Sequence, residues 1–328
     1  MNQLDELQTY SQLLLRLYRA AQDLPIADFQ DAALDLVKGV LPFDSSLWGT
    51  AAPAQGGPDI HTVHLHNQSR EMLPAYESVK HLDSAVATMF AQPRATRGFQ
   101  LDSWFSDPAQ REIRDMMRRF EIENMLATTV IDPSTRIAHW ILLYRADCDA
   151  GYTPAEIARL ELLAPHVMEA LAINRKMHLE RLGPADQDAL PRGNAIADLR
   201  GMVYHADARF AALAGEEWED WQERRLPAAL ASHFQREGER FRGRAVVVDA
   251  RIEQQLLFLK ARPRCRADGL TAREFTIAKL IAKGDTHKEI AQTLSRSPAT
   301  VRNQIQGIYE KLEVGNIAGL IEALRLVD

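Results

Sequence analysis

Near the C-terminal end of the sequence, polar side chains fall on one side of a short predicted helix. That side carries Arg302, Asn303 and Gln306, together with Thr300 and Gln304. Arginine hydrogen-bonds guanine, and asparagine or glutamine hydrogen-bonds adenine, through paired groups on the base edge. These residue types at helical spacing predict a helix that reads base edges in the major groove of DNA.

Local signals make this helix the third of four. Thr271 with Glu274 and Thr286 with Glu289 form T-x-x-E capping boxes, and Ser297-Pro298 is a helix start with proline in the first turn. Apolar residues recur every three or four positions, which predicts one small core and an all-α four-helix helix-turn-helix domain. The stripe residues are Phe275, Ala278, Ile281, Ile290, Ala291, Leu294, Val301, Ile305, Ile308, Leu312, Ile317, Leu320, Ile321 and Leu324.

This segment resembles the DNA-binding domain of LuxR-type transcriptional regulators. The resemblance lies in L-T-x-R-E at the first helix, K-E-I-A in the second, T-V-R in the third and I-Y-x-K-L after it. It implies that the third helix enters the major groove and that the fourth helps to pair two subunits. Gln304 and Gly307 stand where the family often has His and Asn, so we expect a different base preference.

The resemblance also implies roles for single residues. Phosphate contacts are implied for Thr286, Thr300 and Lys311, and groove contacts for Lys288, Val301 and Arg302. The polar side of the third helix adds three more residues. The complete set of predicted DNA-binding residues is Thr286, Lys288, Ser297, Thr300, Val301, Arg302, Asn303, Gln306 and Lys311.

Composition excludes DNA binding through overall charge. The 328 residues carry a formal net charge of −6, with 46% hydrophobic and 26% charged residues, and residues 267–328 balance eight Lys and Arg against eight Asp and Glu. DNA affinity therefore requires a local patch. No signal peptide or membrane-spanning run is visible, so we expect a cytoplasmic protein without membrane contact. Cys148 and Cys265 are expected to be free thiols.

Two polar stretches rich in Pro and Gly, 183–194 and 262–269, divide the chain. They predict a sensor domain over 1–182, a connector over 195–261 and the DNA-binding domain over 267–328. The connector pattern of a hairpin, a helix from Asp207 and a second hairpin resembles a short PAS domain.

The sensor is predicted as an α/β (α+β) sandwich with an antiparallel sheet, and its element order resembles a GAF-type domain. A heptad-like apolar stripe at Leu7–Leu24 predicts the first helix, and a capping box at Thr153 starts the last, which Pro165 should kink or break. Further helices are predicted at 70–90 and 108–120. Strands are predicted at 46–49, 60–66, 126–132 and 138–145, with Pro133-Ser134-Thr135 as the turn of the last hairpin.

Aromatic residues concentrated in the sensor predict an apolar ligand cavity, although the same residues also suit a packed core. The candidate lining residues are Trp48, Tyr76, Trp104 and Trp140, with Asp83 as a polar anchor. The run L-D-S-A-V at 82–86 resembles the D-P-x-V element of acyl-homoserine-lactone receptors, in which the Asp anchors the lactone, but Ser replaces Pro here. We expect a small apolar or aromatic ligand with one polar head.

An alternative interpretation rests on His61, His64 and His66. On a strand, His64 and His66 share one face, and with a third ligand such as His81 or His139 they would hold a metal or haem in a redox or gas sensor, or in a vestigial enzyme. The competing interpretation is ordinary strand histidines, which we favour. The sequence lacks G-x-S-x-G, Walker A and H-E-x-x-H motifs, so we predict no enzyme activity, no metal and no cofactor.

These observations predict a ligand-controlled transcriptional regulator. We expect a homodimer on a two-fold symmetric double-stranded operator, with RNA polymerase as a further candidate partner. A ligand in the sensor would favour one dimer arrangement and thereby set DNA affinity.

Overall fold

The computed structural model describes residues 3–52, 59–91, 96–132, 135–182, 190–222, 224–236 and 238–327. The chain divides into two compact units. The first comprises Met1–Leu182, Ile196–Tyr204 and Ile252–Leu256, and the second comprises Gly183–Ala195, His205–Arg251 and Leu257–Asp328. Within the described ranges, no helix has the combined length and apolar character needed to cross a membrane.

An antiparallel sheet organises the first unit. Its strands are β1 (Ser45–Ala52), β2 (Asp59–His66), β3 (Thr96–Gln100), β4 (Asn124–Ile131) and β5 (Ala138–Arg145), in the order β2-β1-β5-β4-β3. The pairing of β4 with β5 from Asn124 opposite Arg145 to Ile131 opposite Ala138 confirms the predicted hairpin. Its predicted turn residues Pro133 and Ser134 lie outside the described residues.

Helices cover both faces of this sheet. They are α1 (Gln3–Asp23), α2 (Ile26–Lys38), α3 (Met72–Val79), α4 (Ser84–Ala91), α5 (Leu101–Trp104), α6 (Arg111–Arg119) and α7 (Pro154–Arg181). On one face, α1, α2 and α7 pack with Trp48, and on the other, α3, α4 and α6 pack with Leu47. Because neighbouring strand residues point to opposite faces, β1 contributes to both cores. The predicted sandwich is confirmed.

The helical region predicted at 70–90 contains two helices, α3 and α4. A 3₁₀ turn at Lys80–Leu82 ends α3, and Asp83 then adopts an extended backbone with ψ 91°. The Asp83 carboxylate accepts the backbone N–H groups of Ala85 and Val86 at the start of α4. Strand β3 was not predicted, because T-R-G-F-Q lacks an alternating apolar pattern.

Of the kink or break predicted at Pro165, the break is absent, since α7 runs from Pro154 to Arg181. A proline inside a helix removes one backbone hydrogen bond. Burial of Leu163, Ala164 and Val167 in the core around it offsets that loss. The capping box that begins α7 at Thr153 is present as predicted.

The apolar stripe of α1 also differs from the prediction. Its buried residues are Leu13, Leu17 and Ala21, spaced by four, whereas Leu7 is 62% exposed. The C-terminal half of α1 therefore packs inside its own unit, and the N-terminal half leaves leucines on the surface.

A second five-stranded sheet follows in the chain. Its strands are β6 (Gly193–Asp198), β7 (Val203–Ala206), β8 (Arg240–Arg242), β9 (Val246–Glu253) and β10 (Leu256–Pro263), in the order β7-β6-β10-β9-β8. The helices α8 (Ala208–Glu217) and α9 (Ala228–Arg236) lie between β7 and β8 in sequence. Asp207 caps α8 by accepting the Phe210 N–H, so the predicted helix start is confirmed.

The C-terminal helices are α10 (Ala272–Ala282), α11 (His287–Thr293), α12 (Pro298–Leu312) and α13 (Ile317–Arg325). They share one core, to which Ile277, Ile290, Val301, Ile308 and Leu320 contribute fully buried side chains. The predicted all-α helix-turn-helix domain is therefore confirmed. Ahead of it, Arg262 forms a buried bidentate salt bridge with Asp268, at 2.6 Å for each hydrogen bond, which sequence reasoning missed.

Candidate functional site

Side-chain caps position the helices of the C-terminal domain. Thr271 and Thr286 each form the predicted capping box, with Glu274 at α10 and Glu289 at α11. At α12 the Ser297 hydroxyl accepts the Thr300 N–H at 3.1 Å. These local hydrogen bonds set where α12 begins and therefore which of its residues lie on the surface.

Eight of the nine predicted DNA-binding residues have exposed side chains in the second unit. They are Thr286, Lys288, Ser297, Thr300, Arg302, Asn303, Gln306 and Lys311. The ninth, Val301, is 0% exposed and lies in the domain core. Its side chain is not available for the predicted groove contact, because α12 turns this position toward the other helices.

Two of the basic side chains have partners in the free protein. Lys311 Nζ donates to both carboxylate oxygens of Glu274, at 2.7 and 2.8 Å. This bond, followed by the bond from the Thr271 N–H, lowers the pKa of Glu274. The Arg302 guanidinium lies 3.3 Å from His287 Nε2. The positive charge of Lys311 is thus balanced by Glu274.

A second candidate site is an apolar cavity in the first unit. Residues at every second position of β4 and β5 line it, namely Met125, Ala127, Thr129, Trp140, Leu142 and Tyr144. The other lining residues are Leu47, Ala51, Ile60, Val63, Met72, Leu73, Tyr76, Asp83, Val86, Met89, Phe90 and Met117. The space that the centre of a water molecule can reach is about 80 Å³, enough for several water-sized groups.

Asp83 and Tyr76 are the polar pair in this wall. The Tyr76 hydroxyl donates to Asp83 Oδ2 at 2.9 Å, while Oδ1 accepts the N–H groups of Ala85 and Val86 at 2.9 and 3.0 Å. Burial raises the pKa of both side chains. Oδ2 keeps one acceptor position, so the pair can bind one polar head in an otherwise apolar space.

The structure brings three of the five predicted ligand residues together. Tyr76, Asp83 and Trp140 line the cavity, whereas Trp48 lies on the opposite face of the sheet. Trp104 packs against Phe99 outside the lining, with ring centroids 4.6 Å apart. The expectation that three tryptophans enclose one cavity is therefore wrong, because strand alternation and side-chain stacking separate them.

Trp140 depends on a glycine for its position. A Cβ at Gly49, its partner on β1, would lie 2.5 Å from the Trp140 ring and 2.2 Å from the Thr62 carbonyl oxygen. Both contacts are too short for any side chain. The other lining residues were not predicted from the sequence. Those on β4 and β5 could have been, because alternate residues of a strand point to the same face of the sheet.

The predicted strand histidines bind carboxylates. His64 Nε2 and His66 Nδ1 share Asp31 Oδ1, at 2.9 and 2.8 Å, which places them on one face as expected. His61 Nδ1 pairs with buried Asp198 instead. These histidines do not converge with a third ligand among the described residues, where the one metal-compatible group is the exposed Asp147, Cys148 and Asp149. Both cysteines are free.

Comparison with known protein families identifies the class of the C-terminal domain. Residues 268–324 match the family model "Bacterial regulatory proteins, luxR family", so this segment is a LuxR-type helix-turn-helix domain. A segment of 50 residues is 54% identical to the transcriptional regulatory protein DesR of Bacillus subtilis. That match covers 15% of this chain and 25% of the length of DesR.

Two solved structures are similar to larger parts of the chain. One is CepR2 of Burkholderia cenocepacia, described as an N-acylhomoserine lactone dependent LuxR family transcription factor, with 17% identity and a TM-score of 0.40 over 53% of this chain and 96% of that one. The other is Escherichia coli SdiA, with 14% identity and a TM-score of 0.40 over 97% of this chain and 99% of that one.

Proposed function

We propose that the protein is a DNA-binding transcriptional regulator that reads its operator with α12. The observation that carries the proposal is the exposed row of Arg302, Asn303 and Gln306 on a helix whose opposite side is core. Arg302 suits a guanine, and the two amides suit adenines. Lys288 would add a groove contact at the N-terminal end of the neighbouring helix α11.

Phosphate contacts complete this proposed interface. Thr286, Ser297 and Thr300 lie at the N-terminal ends of α11 and α12, where free backbone N–H groups and the helix dipole favour an anion. Lys311 would exchange Glu274 for a phosphate. Such contacts position the protein without selecting a sequence.

The test of this interface is Arg302→Ala with Arg325→Ala as a matched control. Both remove one arginine from the domain, but Arg325 lies on α13 and pairs with Glu322 at 3.7 Å. On a site selected from random DNA, Arg302→Ala should weaken binding by about 1–3 kcal/mol and relax one base position. Equal effects of the two variants on this site would reject α12 as the reading helix.

We infer that the apolar cavity beside Asp83 is the regulatory input. It offers many apolar side chains and one buried acceptor pair, a combination that suits a small apolar or aromatic molecule with one polar head. A ligand that binds the folded state alone raises stability, by about 2.7 kcal/mol at a hundredfold excess over Kd.

The cavity is tested by thermal melting with indole and 1-octanol as probes. Ala127→Leu should abolish the shift in melting temperature, because it fills the space that the probe needs. Asp83→Asn keeps an acceptor for the α4 cap and should weaken binding of indole, because the amide NH₂ that replaces Oδ2 donates hydrogen bonds and cannot accept the indole N–H. Trp48→Phe, on the other face of the sheet, should retain the shift. A full response in Ala127→Leu would exclude this cavity.

The proposal extends to assembly and partners. A homodimer would place two α12 helices on a two-fold symmetric double-stranded operator, and RNA polymerase is a candidate partner of the bound dimer. We propose no catalytic role. The metal- or haem-sensor alternative is not favoured, because among the described residues none of the three histidines belongs to a group of three converging metal-compatible ligand atoms.

A further inference from the structure

Arg175, on α7, is a buried cation that has no acidic partner in the described part of the chain. Its residue is 7% exposed, and among the described residues none forms a hydrogen bond or salt bridge with it. The Tyr204 ring lies beside it, with its centroid 5.3 Å from the guanidinium carbon. A buried charge without a counter-charge is costly, so this position favours binding of an anion.

The guanidinium borders a second, polar pocket, which shares Val63 with the lining of the apolar cavity. The pocket is lined by Gln30, Thr62, Val63, His64, Gln254 and Gln255 together with Arg175. The space that the centre of a water molecule can reach is about 180 Å³. None of the described residues that line the pocket is acidic, whereas the glutamine amides and the threonine hydroxyl can donate hydrogen bonds.

The nearby carboxylates are engaged elsewhere. Asp31 Oδ1 accepts hydrogen bonds from His64 and His66, at 2.9 and 2.8 Å. Glu253, next to the pocket residues, pairs with His178 Nε2 on α7 at 2.9 Å. Neither forms a salt bridge with Arg175, so the positive charge in the pocket is left for a ligand.

The turn that supplies the two amides has an unfavourable backbone for its residue types. Gln254 and Gln255 have φ values of 47° and 63°, and two consecutive left-handed residues between strands are usually Asn and Gly. The His178–Glu253 pair fixes this hairpin to α7 one turn beyond Arg175. Both residues line the pocket, and strained backbone of this kind is typical of binding sites.

The pKa values of Arg175 and His139 indicate which of these two neighbouring side chains is charged at neutral pH. Burial lowers the pKa of Arg175 to about 10, which leaves it charged at neutral pH. Burial, and then the charge of Arg175, lowers the pKa of His139 to about 4. His139 is therefore neutral and adds no second charge beside the guanidinium.

We propose that Arg175 is the centre of an oxyanion-binding site, which takes a phosphate or carboxylate group of a small molecule between α7 and the Gln254–Gln255 turn. The guanidinium binds two oxygens of the anion in a bidentate manner, and the amides and the Thr62 hydroxyl complete its hydrogen bonds. This site is independent of the apolar cavity and gives the first unit a second input.

The experiment measures the melting temperature of the full chain in phosphate and in acetate, each against sodium chloride of equal ionic strength. An anion that binds the site, at a concentration about ten times its Kd, should raise the melting temperature of the parent protein by a few degrees. A response to phosphate alone, to acetate alone or to both identifies the anion class. Lys176→Met, which removes an exposed neighbouring charge, should respond like the parent protein, and Arg175→Met should not respond.

A second variant keeps the test independent of the folding of Arg175→Met. Gln255→Glu places a carboxylate in the pocket, so it should raise the melting temperature in chloride and abolish the phosphate and acetate responses. The proposal is overturned if the parent protein responds to neither anion. It is equally overturned if Gln255→Glu responds as the parent protein does.

Discussion

Glu274 serves two roles at once, since its carboxylate completes the cap of α10 and also binds Lys311. Glutamine can replace glutamate in a capping box, so Glu274→Gln removes the ion pair and keeps the cap. With Lys311 released, affinity for any DNA sequence should rise by roughly threefold to tenfold, as expected for one surface ion pair of about 1 kcal/mol.

Lys311→Ala provides the converse measurement. It should weaken binding to all sequences alike and reduce the slope of log K against log salt by about 0.9, the value for one phosphate contact. Titrations of random-sequence DNA at several salt concentrations measure both variants. An unchanged salt slope in Lys311→Ala would mean that Lys311 stays with Glu274 when DNA binds.

His139 makes a pH dependence measurable at a single residue. Its pKa is about 4 in the folded protein against 6.5 for an unperturbed histidine. The unfolded chain therefore binds a proton first as the pH falls below 6.5, and stability declines until the pH reaches about 4. Between pH 7 and pH 5 the loss should be about 2 kcal/mol.

The comparison that isolates this effect uses His139→Gln and His81→Gln. Melting temperatures at pH 7 and pH 5 should differ less in His139→Gln than in the parent protein. His81 is exposed, so His81→Gln should keep the full difference. If His139→Gln and the parent protein lose equal stability on acidification, then His139 is protonated as readily in the folded protein as in the unfolded chain.

At the scale of elements, the features that depend on near neighbours were predictable. The capping boxes at Thr153, Thr271 and Thr286 each need two residues three positions apart, and all three are present. The continuity of α7 through Pro165 was not predictable, because it depends on burial against elements distant in sequence.

In the candidate sites, too, features set by neighbouring residues were predictable, and features set by residues distant in sequence were not. The exposed row on α12 could be inferred from helical period alone, and the same period placed Val301 in the apolar stripe. The groove contact of Val301 was implied by the family resemblance and conflicts with that stripe. The position of Trp48 required knowledge of which sheet face borders which helices. The unpaired state of Arg175 required a contact with Tyr204, 29 positions later in the chain, which no local pattern encodes.

Helix α1 carries a prediction about assembly. Leu4, Leu7 and Leu15 are 60%, 62% and 55% exposed and fall on one side of the helix by its 3.6-residue period. We expect this stripe to pair with a second copy. Leu7→Glu with Leu15→Glu should give a folded monomer in light scattering, whereas Ile252→Glu, at an apolar residue 52% exposed on β9, should not change the mass.

Leu17 is unsuitable for that test, because it is 0% exposed in the core of the first unit and a charge there would unfold the protein. If the variant with both surface leucines replaced is still a dimer, α1 is not part of the dimer interface. The symmetric operator would then require pairing through other helices, with α13 as the next candidate.

At the scale of the whole molecule, the proposed function requires that the apolar cavity of the first unit be coupled to α12 in the second. Thermodynamic linkage requires this coupling to be reciprocal, since a ligand that changes the DNA affinity by a given factor must have its own affinity changed by DNA by the same factor. Typical factors are about 5 to 150. The relation holds whatever structural path joins the two units.

We therefore expect an effective cavity ligand, with indole as the first probe, to change the Kd for the selected operator in the full chain. Operator DNA should change the Kd for indole by the same factor, because both affinities refer to the same two states of the protein. Ala127→Leu should retain operator binding and lose the response to indole, whereas Trp48→Phe should keep both. Fluorescence anisotropy of labelled operator and calorimetry of indole binding measure the two factors. An operator affinity that is unchanged at saturating indole would show that binding in the cavity does not regulate α12.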